Sequence, residues 1–328
     1  MPNVRIEGHT TRRSLLAGLL LAALVATPPA WAGETVTRIV IFGDSLSDDG
    51  NAFVIQKQNS VPPSYDVNGS LIPGDAYARG GHAFTNGPTW AEDLGQSLGL
   101  AGDVAPAFRD DNPRAGNYAV GGATARFELQ SFNLPLQVGV FLHDFPSAPS
   151  DALYIVEMGG NDVQDAVDAY VAGGNPLPIL HAAAQSIGKS IGRLYAAGAR
   201  KFLVWNVPDV GAAPSIHALD AQSPLNVVAA ASAFTGVVNA ELASLLATLP
   251  ATLPGVEIQS FDAHALLDSV LADPASFGLT NVTDACITPD VPPFVCNDPD
   301  AYLFWDGIHP TAAAHAVVAD AIGQLLAQ

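Results

Sequence analysis

The sequence predicts an α/β protein in which helices cover both faces of a parallel sheet. Short apolar runs of strand length alternate along the chain with longer segments that have the periodicity of helices. Three of the apolar runs end in glycine-containing turns that are followed by polar residues. Because the carboxyl ends of parallel strands lie at one edge of a sheet, we expect these turns to meet there.

Five segments are strand candidates and five are helix candidates. The strand candidates are short and apolar, and they lie at residues 38–42, 117–120, 152–158, 201–205 and 256–260. The helix candidates have apolar residues at helical spacing, and they lie at residues 88–98, 177–197, 225–249, 262–271 and 311–327. The third of these helices is rich in alanine, which has the highest helix propensity. Since strands and helices alternate, we expect right-handed crossovers within a single sheet.

Residues 1–32 are typical of an export signal. Arg12-Arg13 precede an uncharged, mostly apolar run, and Ala30-Trp31-Ala32 fits a small-x-small cleavage site. The two arginines also resemble a twin-arginine signal, and an ordinary secretory signal is the alternative. We therefore expect an exported protein, periplasmic or extracellular, in which residues 33–328 form one domain.

Two irregular segments interrupt the alternation of strands and helices. Residues 56–86 are rich in glycine, proline and asparagine, and residues 274–304 contain five prolines and both cysteines of the chain. Such loop insertions form either walls of a substrate pocket or surface excursions. After an export signal, Cys286 and Cys296 are expected to form a disulfide, and no nearby pair of histidines suggests a metal site.

Charge and hydropathy exclude two classes of partner. The formal net charge is −19, and such a surface repels nucleic acids and anionic lipid headgroups. No long apolar run follows the export signal, so the sequence predicts no membrane span.

The residues Gly43-Asp44-Ser45 follow the first predicted strand and place a serine at the edge of the sheet. Near the end of the chain, Asp306 and His309 supply a carboxylate and an imidazole three residues apart. Serine, histidine and aspartate together are the groups that activate a nucleophile for acyl transfer. We therefore predict Ser45, Asp306 and His309 as catalytic residues.

An acyl-transfer nucleophile also needs donors for the negatively charged oxygen of its tetrahedral intermediate. The main-chain N–H groups of Ser45 and Gly122 and the side-chain amide of Asn161 are the candidates, because they follow three of the predicted strands. Trp305 is adjacent to Asp306 in the sequence and is the candidate substrate contact.

Four ordered segments, at residues 43–47, 116–124, 157–162 and 305–310, resemble the GDSL esterases and lipases of the SGNH hydrolase superfamily. The resemblance spans about residues 38–325. It implies a three-layer α/β/α sandwich with a five-stranded, flavodoxin-like parallel sheet. It also implies that Ser45 is the nucleophile, that His309 and Asp306 are its base and orienting carboxylate, and that Gly122 and Asn161 are oxyanion donors.

The sequence thus predicts a secreted serine hydrolase that cleaves carboxylic esters through an acyl-enzyme on Ser45, with no metal and no cofactor. We expect a monomer whose partner is a small-molecule or lipid ester, with no nucleic acid and no stable membrane span. The alternatives are a lipid acyltransferase, a phospholipase or lysophospholipase, a carbohydrate deacetylase and a noncatalytic binding module.

Overall fold

The computed structural model describes residues 36–55, 83–108, 114–129, 131–288 and 295–328. The predicted export signal at residues 1–32 and most of the first loop insertion, residues 56–82, lie outside the described residues.

Four parallel strands form the central sheet in the order β1-β2-β3-β4. They are β1 (Ile39–Phe42), β2 (Leu153–Val156), β3 (Lys201–Trp205) and β4 (Glu257–Phe261). Every residue of β1 and β2 is buried, which explains why these strands are continuous apolar runs rather than alternating ones.

The prediction of five strands is wrong, because residues 117–120 do not form a regular strand. They nevertheless run along β1, with Tyr118 N donating to Ile41 O at 2.8 Å and Val120 N donating to Gly43 O at 3.1 Å. Asn117 forms two isolated parallel bridges, one with Ile41 of β1 and one with Pro106 on its other side. With this segment included, the order across the sheet is that of flavodoxin-like folds, in which ligands bind where the strand order reverses.

The described residues contain nine α-helices. They are α1 (Asn51–Ile55), α2 (Trp90–Ser97), α3 (Leu134–Asp144), α4 (Gly160–Val171), α5 (Leu177–Ala197), α6 (Pro214–Gln222), α7 (Val227–Thr252), α8 (Ala263–Ala272) and α9 (Ala312–Leu326). Five of them, α2, α5, α7, α8 and α9, confirm the predicted helices, with ends displaced by at most three residues.

The sheet lies between two layers of helices, as predicted for an α/β/α sandwich. On one face, Phe42 and Val156 pack against α3, α5 and α7. On the other face, Ile41 and Ile155 pack against α2, α8 and α9. Alternate side chains of one strand therefore enter two separate cores, because successive residues of a strand point to opposite faces.

Among the described residues, α7 is the only helix long and apolar enough to cross a membrane by length and composition. It packs against α4 and α5 inside the domain. Its buried residues, Thr235, Val238 and Leu242 among them, recur at helical spacing. This packing is that of a core helix in a globular domain.

A small two-stranded sheet, β5 (Asn281–Ala285) and β6 (Tyr302–Phe304), lies in the second loop insertion. The predicted disulfide between Cys286 and Cys296 is formed in this insertion. Cys296 N also donates to Cys286 O at 2.8 Å, so the disulfide closes a narrow hairpin.

Asn51 completes the pairing of residues 117–120 on their outer side, where residues 105–107 pair only with Asn117. Its Nδ2 donates to Asn117 O and Ala119 O, both at 2.8 Å, and its Oδ1 accepts from Phe108 N at 2.9 Å. The side chain is fully buried. A side-chain amide therefore substitutes here for a neighbouring strand.

We predict that Asn51→Ala lowers the free energy of unfolding by about 2–4 kcal/mol, since it leaves buried main-chain groups without partners. Urea denaturation followed by circular dichroism measures this loss. The control is Asn226→Ala, which removes the exposed side-chain cap of α7 and is expected to cost about 1 kcal/mol. Equal losses in the two variants would contradict the bridging role of Asn51.

Candidate active site

The turn that follows β1 is held from two sides. Gln137 of α3 accepts from Gly43 N at 3.1 Å through Oε1 and donates to Gly43 O at 2.8 Å through Nε2. A Cβ atom at Gly43 would lie 2.9 Å from both Glu157 Oε2 and Ser47 Cβ, so glycine is required by space. Leu46 N donates to Asp44 Oδ1 at 3.0 Å, which closes the turn around Ser45.

The structure brings Ser45, His309 and Asp306 together in one hydrogen-bonded line. Ser45 Oγ lies 2.8 Å from His309 Nε2, and His309 Nδ1 lies 2.7 Å from Asp306 Oδ2. Asp306 is fully buried, and its Oδ1 accepts from the main-chain N–H groups of Ile308 and His309 at 2.8 and 2.7 Å. A hydroxyl, an imidazole and a carboxylate in this line can activate the hydroxyl as a nucleophile.

A tight hairpin fixes the position of His309. Trp305 N donates to His309 O at 2.7 Å, and Thr311 N donates to Leu303 O at 3.0 Å. Thr311 then caps α9 through its side chain. The ring of Phe84 packs on the imidazole, with ring centroids 5.2 Å apart. His309 is therefore held by its main chain as well as by its ring.

Trp305, the predicted substrate contact, takes a different position. It is buried against Cys286 and Ile287 of the disulfide hairpin. Cys286 N and Ile287 N donate to the carbonyls of Phe304 and Trp305, both at 2.9 Å. Trp305 is not among the residues that line the cavity at Ser45. The side chain anchors the hairpin that precedes Asp306.

The main-chain N–H groups of Ser45 and Gly122 donate to no acceptor within the described part of the chain. Gly122 has a φ of +75°, a conformation that favours glycine, and an added Cβ would meet no atom within 4 Å. Both residues line the same cavity. Two free N–H donors are thus available beside the Ser45 hydroxyl.

Asn161 also lines this cavity, but its amide already has partners. Nδ2 donates to Ala123 O at 2.9 Å and to Asp44 Oδ2 at 3.2 Å. Because an amide nitrogen carries two hydrogens, a third acceptor must share or replace one of these contacts. The longer contact, with Asp44, is the one that a bound oxyanion would displace more readily.

The carboxylate of Asp48 joins the turn after β1 to the loop that contains Gly122. Its two oxygens accept from the main-chain N–H groups of residues 50, 51, 52 and 121, at 2.6–3.0 Å. Burial raises the pKa of Asp48 to about 6, although all four donors favour the ionised form. The role of Asp48 is therefore structural, because it ties the two loops together.

Sequence reasoning missed the buried pair formed by Asp44 and Glu157. Glu157 Oε2 accepts from Ser47 Oγ at 2.9 Å and from Asp44 N at 3.3 Å. Burial and the neighbouring Glu157 carboxylate hold the pKa of Asp44 well above its usual range. Burial also raises the pKa of Glu157 to about 7. No sequence signal predicted the pair, because the two residues are far apart in the chain.

A cavity of about 290 Å³ extends from Ser45, Asn161 and His309 into the protein. Beyond these residues its walls are mainly apolar side chains of two helices. They include Leu266, Leu267 and Val270 of α8 and Ala314, Val317 and Val318 of α9. The apolar periodicity of both helices was visible in the sequence, but the way in which their faces meet was not.

Within the described ranges, no three or more histidine, cysteine, aspartate or glutamate side chains cluster as metal ligands do. The candidate site therefore consists of hydroxyl, imidazole, carboxylate and amide groups beside an apolar cavity.

We predict that the free energy of unfolding falls as the pH rises from 4.5 to about 7. The lower value is the usual pKa of a glutamate, and the higher one is the pKa of Glu157 in the folded protein. Over this range folded Glu157 keeps a proton that the unfolded chain releases, so a rising pH favours unfolding. Asp48 and Asp162 act in the same direction, because burial raises both pKa values to about 6, whereas His315, whose pKa burial lowers to about 3, offsets part of the fall. Urea denaturation at a series of pH values measures this dependence.

Glu157→Gln removes the titrating group and keeps an acceptor for Ser47, so its unfolding free energy is expected to depend less on pH. Asp300→Asn, a change at an exposed carboxylate with no buried partner, is the control and should retain the wild-type dependence. A Glu157→Gln variant with an unaltered pH dependence would show that the effect arises elsewhere.

Comparisons with known proteins extend over nearly the whole chain. The sequence profile of the GDSL-like lipase/acylhydrolase family matches residues 39–322. A GDSL esterase/lipase of Arabidopsis thaliana is 28% identical over 89% of this chain and 90% of its own length.

Two Pseudomonas proteins are each 30% identical to this chain. Esterase EstA of Pseudomonas aeruginosa aligns over 96% of this chain and 50% of its own length. An uncharacterized protein in the trpE-trpG intergenic region of Pseudomonas putida aligns over 94% of this chain and 51% of its own length. The chain spans about half the length of these two relatives. Because the family profile covers most of its residues, the protein belongs to the GDSL-like lipase/acylhydrolase family.

Proposed function

We propose that the protein is an exported carboxylic-ester hydrolase that acts through an acyl-enzyme on Ser45. The observation that carries the proposal is the line of hydrogen bonds from Ser45 Oγ through His309 to Asp306, with distances of 2.8 and 2.7 Å. The names of two relatives, an esterase and an esterase/lipase, agree with this activity.

In the proposed reaction, His309 is the general base. Asp306 Oδ2 accepts a hydrogen bond from the Nδ1–H of His309, which leaves Nε2 with a lone pair directed at the Ser45 hydroxyl. Ser45 Oγ attacks the acyl carbonyl while Nε2 takes its proton, and the protonated imidazole then gives that proton to the leaving alcohol. Water, activated in turn by His309, hydrolyses the acyl-enzyme and restores Ser45.

The oxyanion of each tetrahedral intermediate is proposed to bind the free N–H groups of Ser45 and Gly122. The amide of Asn161 supplies a third donor by giving up its contact with Asp44 Oδ2 at 3.2 Å. Donors held in place before the reaction stabilise developing negative charge without a cost of reorganisation.

The cavity favours an acyl group over a sugar as the bound part of the substrate. Its walls beyond Ser45 are mainly apolar, and they carry few polar groups that could hydrogen-bond a carbohydrate. An apolar wall contributes binding free energy in proportion to the apolar surface that the substrate removes from water.

Export is proposed on two observations. Residues 1–32 have the composition of a signal sequence. The disulfide between Cys286 and Cys296 is of a kind that persists in oxidising compartments.

We predict that Ser45→Ala lowers kcat for p-nitrophenyl esters by about 10⁴-fold or more, since no other group can form the acyl-enzyme. Rates measured on esters from acetate to palmitate also give the preferred acyl length. Ser97→Ala, on the exposed face of α2, makes the same chemical change far from the cavity and should leave kcat unchanged. Unchanged hydrolysis by a folded Ser45→Ala variant would refute the mechanism, and no hydrolysis by the wild-type protein would favour a binding module.

We predict that Asn161→Ala lowers kcat by about 10²–10³-fold with little change in KM, as expected when a donor acts mainly in the transition state. Asn133→Ala is the control, because the amide of that side chain also donates two hydrogen bonds within the protein but does not line the cavity. The two variants should lose similar stability in thermal unfolding. If they also lose similar activity, Asn161 has only a structural role.

A further inference from the structure

The carboxyl group of Asp44 competes with a bound oxyanion for the amide hydrogens of Asn161. Asn161 Nδ2 donates to Asp44 Oδ2 at 3.2 Å and to Ala123 O at 2.9 Å, so both of its hydrogens are engaged. The strength of the contact with Asp44 depends on the charge of that carboxyl group. A hydrogen bond to an ionised group is roughly twice as strong as one between neutral groups, so an ionised Asp44 holds the amide more firmly.

Both oxygens of Asp44 are fixed in place. The residue is 3% exposed, and its Oδ1 accepts from Leu46 N at 3.0 Å in the turn around Ser45. Its Oδ2 lies at the start of α4, 3.7 Å from the position that a Cβ atom of Gly160 would take. One buried carboxyl group therefore contacts both the turn that carries the proposed nucleophile and the amide of Asn161.

Glu157 shares the buried environment of Asp44. Its Oε2 accepts from Asp44 N at 3.3 Å and from Ser47 Oγ at 2.9 Å, and the two carboxyl side chains also hydrogen-bond each other. Because an ionised carboxylate only accepts hydrogen bonds, the bond between the side chains requires a proton on one of the two acids. Two negative charges in one buried place are also unfavourable. The pair therefore retains a proton after exposed carboxyl groups have lost theirs.

Charged groups of several elements act on this pair. Burial, the Glu157 carboxylate and Asp162 of α4 raise the pKa of Asp44. The main-chain N–H of Leu46 and a protonated His309 lower it, but the pKa stays well above the usual range of an aspartate. Burial also raises the pKa of Glu157 to about 7. The last proton of the pair is therefore expected to leave near or above neutral pH.

We propose that Asp44 is a positioning residue for Asn161, and that the proton it shares with Glu157 frees the Asn161 N–H for the oxyanion. While the pair holds this proton, the contact with Asp44 is weak enough for the oxyanion to displace it. After the proton has left, Asp44 retains the N–H and its charge repels the oxyanion. The inference rests on the proposed function, in which Asn161 is an oxyanion donor.

The experiment measures kcat for p-nitrophenyl butyrate from about pH 6 to about pH 10, because kcat reports the groups that titrate in the enzyme–substrate complex. Active sites are counted by labelling with a fluorophosphonate, so a loss of folded protein does not affect the result. The wild-type kcat is expected to fall about tenfold as the pair loses its proton, the effect of one good hydrogen bond.

Two substitutions of similar shape in the pair have different expected results. Asp44→Asn removes the carboxyl group that competes for Asn161, so its kcat is expected to show no alkaline fall. Glu157→Gln removes the like charge that keeps a proton on Asp44, so the fall is expected about one pH unit or more lower. If the pair were only structural, both variants would lose activity at every pH and keep the wild-type pH dependence.

The matched control is Asp49→Asn. Asp49 is also a buried acid whose pKa burial raises, and it accepts from Thr89 and Asn117, but it does not line the cavity. This variant should retain the alkaline fall of the wild-type protein. Asn161→Ala tests the route of the effect. Without the amide, Asp44 has no donor to withhold, so the alkaline fall is expected to be smaller than in the wild-type protein.

Four results overturn the inference. Hydrolysis that requires Ser45 but shows no alkaline fall rejects the shared proton and leaves the proposed function intact. An unchanged fall in Asp44→Asn, or an undiminished one in Asn161→Ala, rejects the action of Asp44 on Asn161. An unshifted fall in Glu157→Gln rejects the pair, which decides the question if Asp44→Asn does not fold. No hydrolysis of any ester by the wild-type protein rejects the proposed function, and the inference falls with it.

Discussion

Each carboxylate buried beneath the candidate site must be hydrogen-bonded, because burial of an unpaired charge is costly. The hydrogen bonds that meet this need connect segments that are distant in the sequence. Asp48 connects the turn after β1 to Gly121. Glu157, from the end of β2, accepts from the same turn. Asp162 accepts from Ala125 N at 2.7 Å and so holds the loop after Gly122 against α4. The positions of Ser45 and of the candidate oxyanion donors depend on the hydrogen bonds of these acids.

His309 depends on a different set of contacts, which are mostly main-chain hydrogen bonds. The hairpin closed by Cys286 and Cys296 pairs with residues 304–305, immediately before Asp306. Trp305 packs against Cys286 and Ile287 of this insertion. The disulfide therefore supports the carboxylate that orients the imidazole, although it lies outside the cavity. The second loop insertion is thus part of the framework of the site.

Much of the fold was predictable because its signals are local. The strands β1, β2 and β3 are short, mainly apolar runs, and α5 was predicted with the ends that it has. Residues 117–120, at the edge of the sheet, were predicted to form a strand and do not form a regular one. Their sequence does not reveal whether a strand or a side chain such as that of Asn51 will pair with them. Helix α3 was missed although Asn133 caps it and a proline follows, which is a usable signal. The short α1 and α6 carry too few residues for a periodic pattern.

The sequence by itself determined which groups are proposed to carry the chemistry, since Ser45, Asp306 and His309 stand in short motifs with recognisable spacing. Tertiary structure alone decided what surrounds them. It paired Glu157 with Asp44, buried Trp305 away from the cavity, and placed His315 in its wall. The physical reason is that a motif depends on a few neighbouring residues. A cavity depends on how separate helices, such as α8 and α9, pack together on one face of the sheet, and no short stretch of sequence specifies that packing.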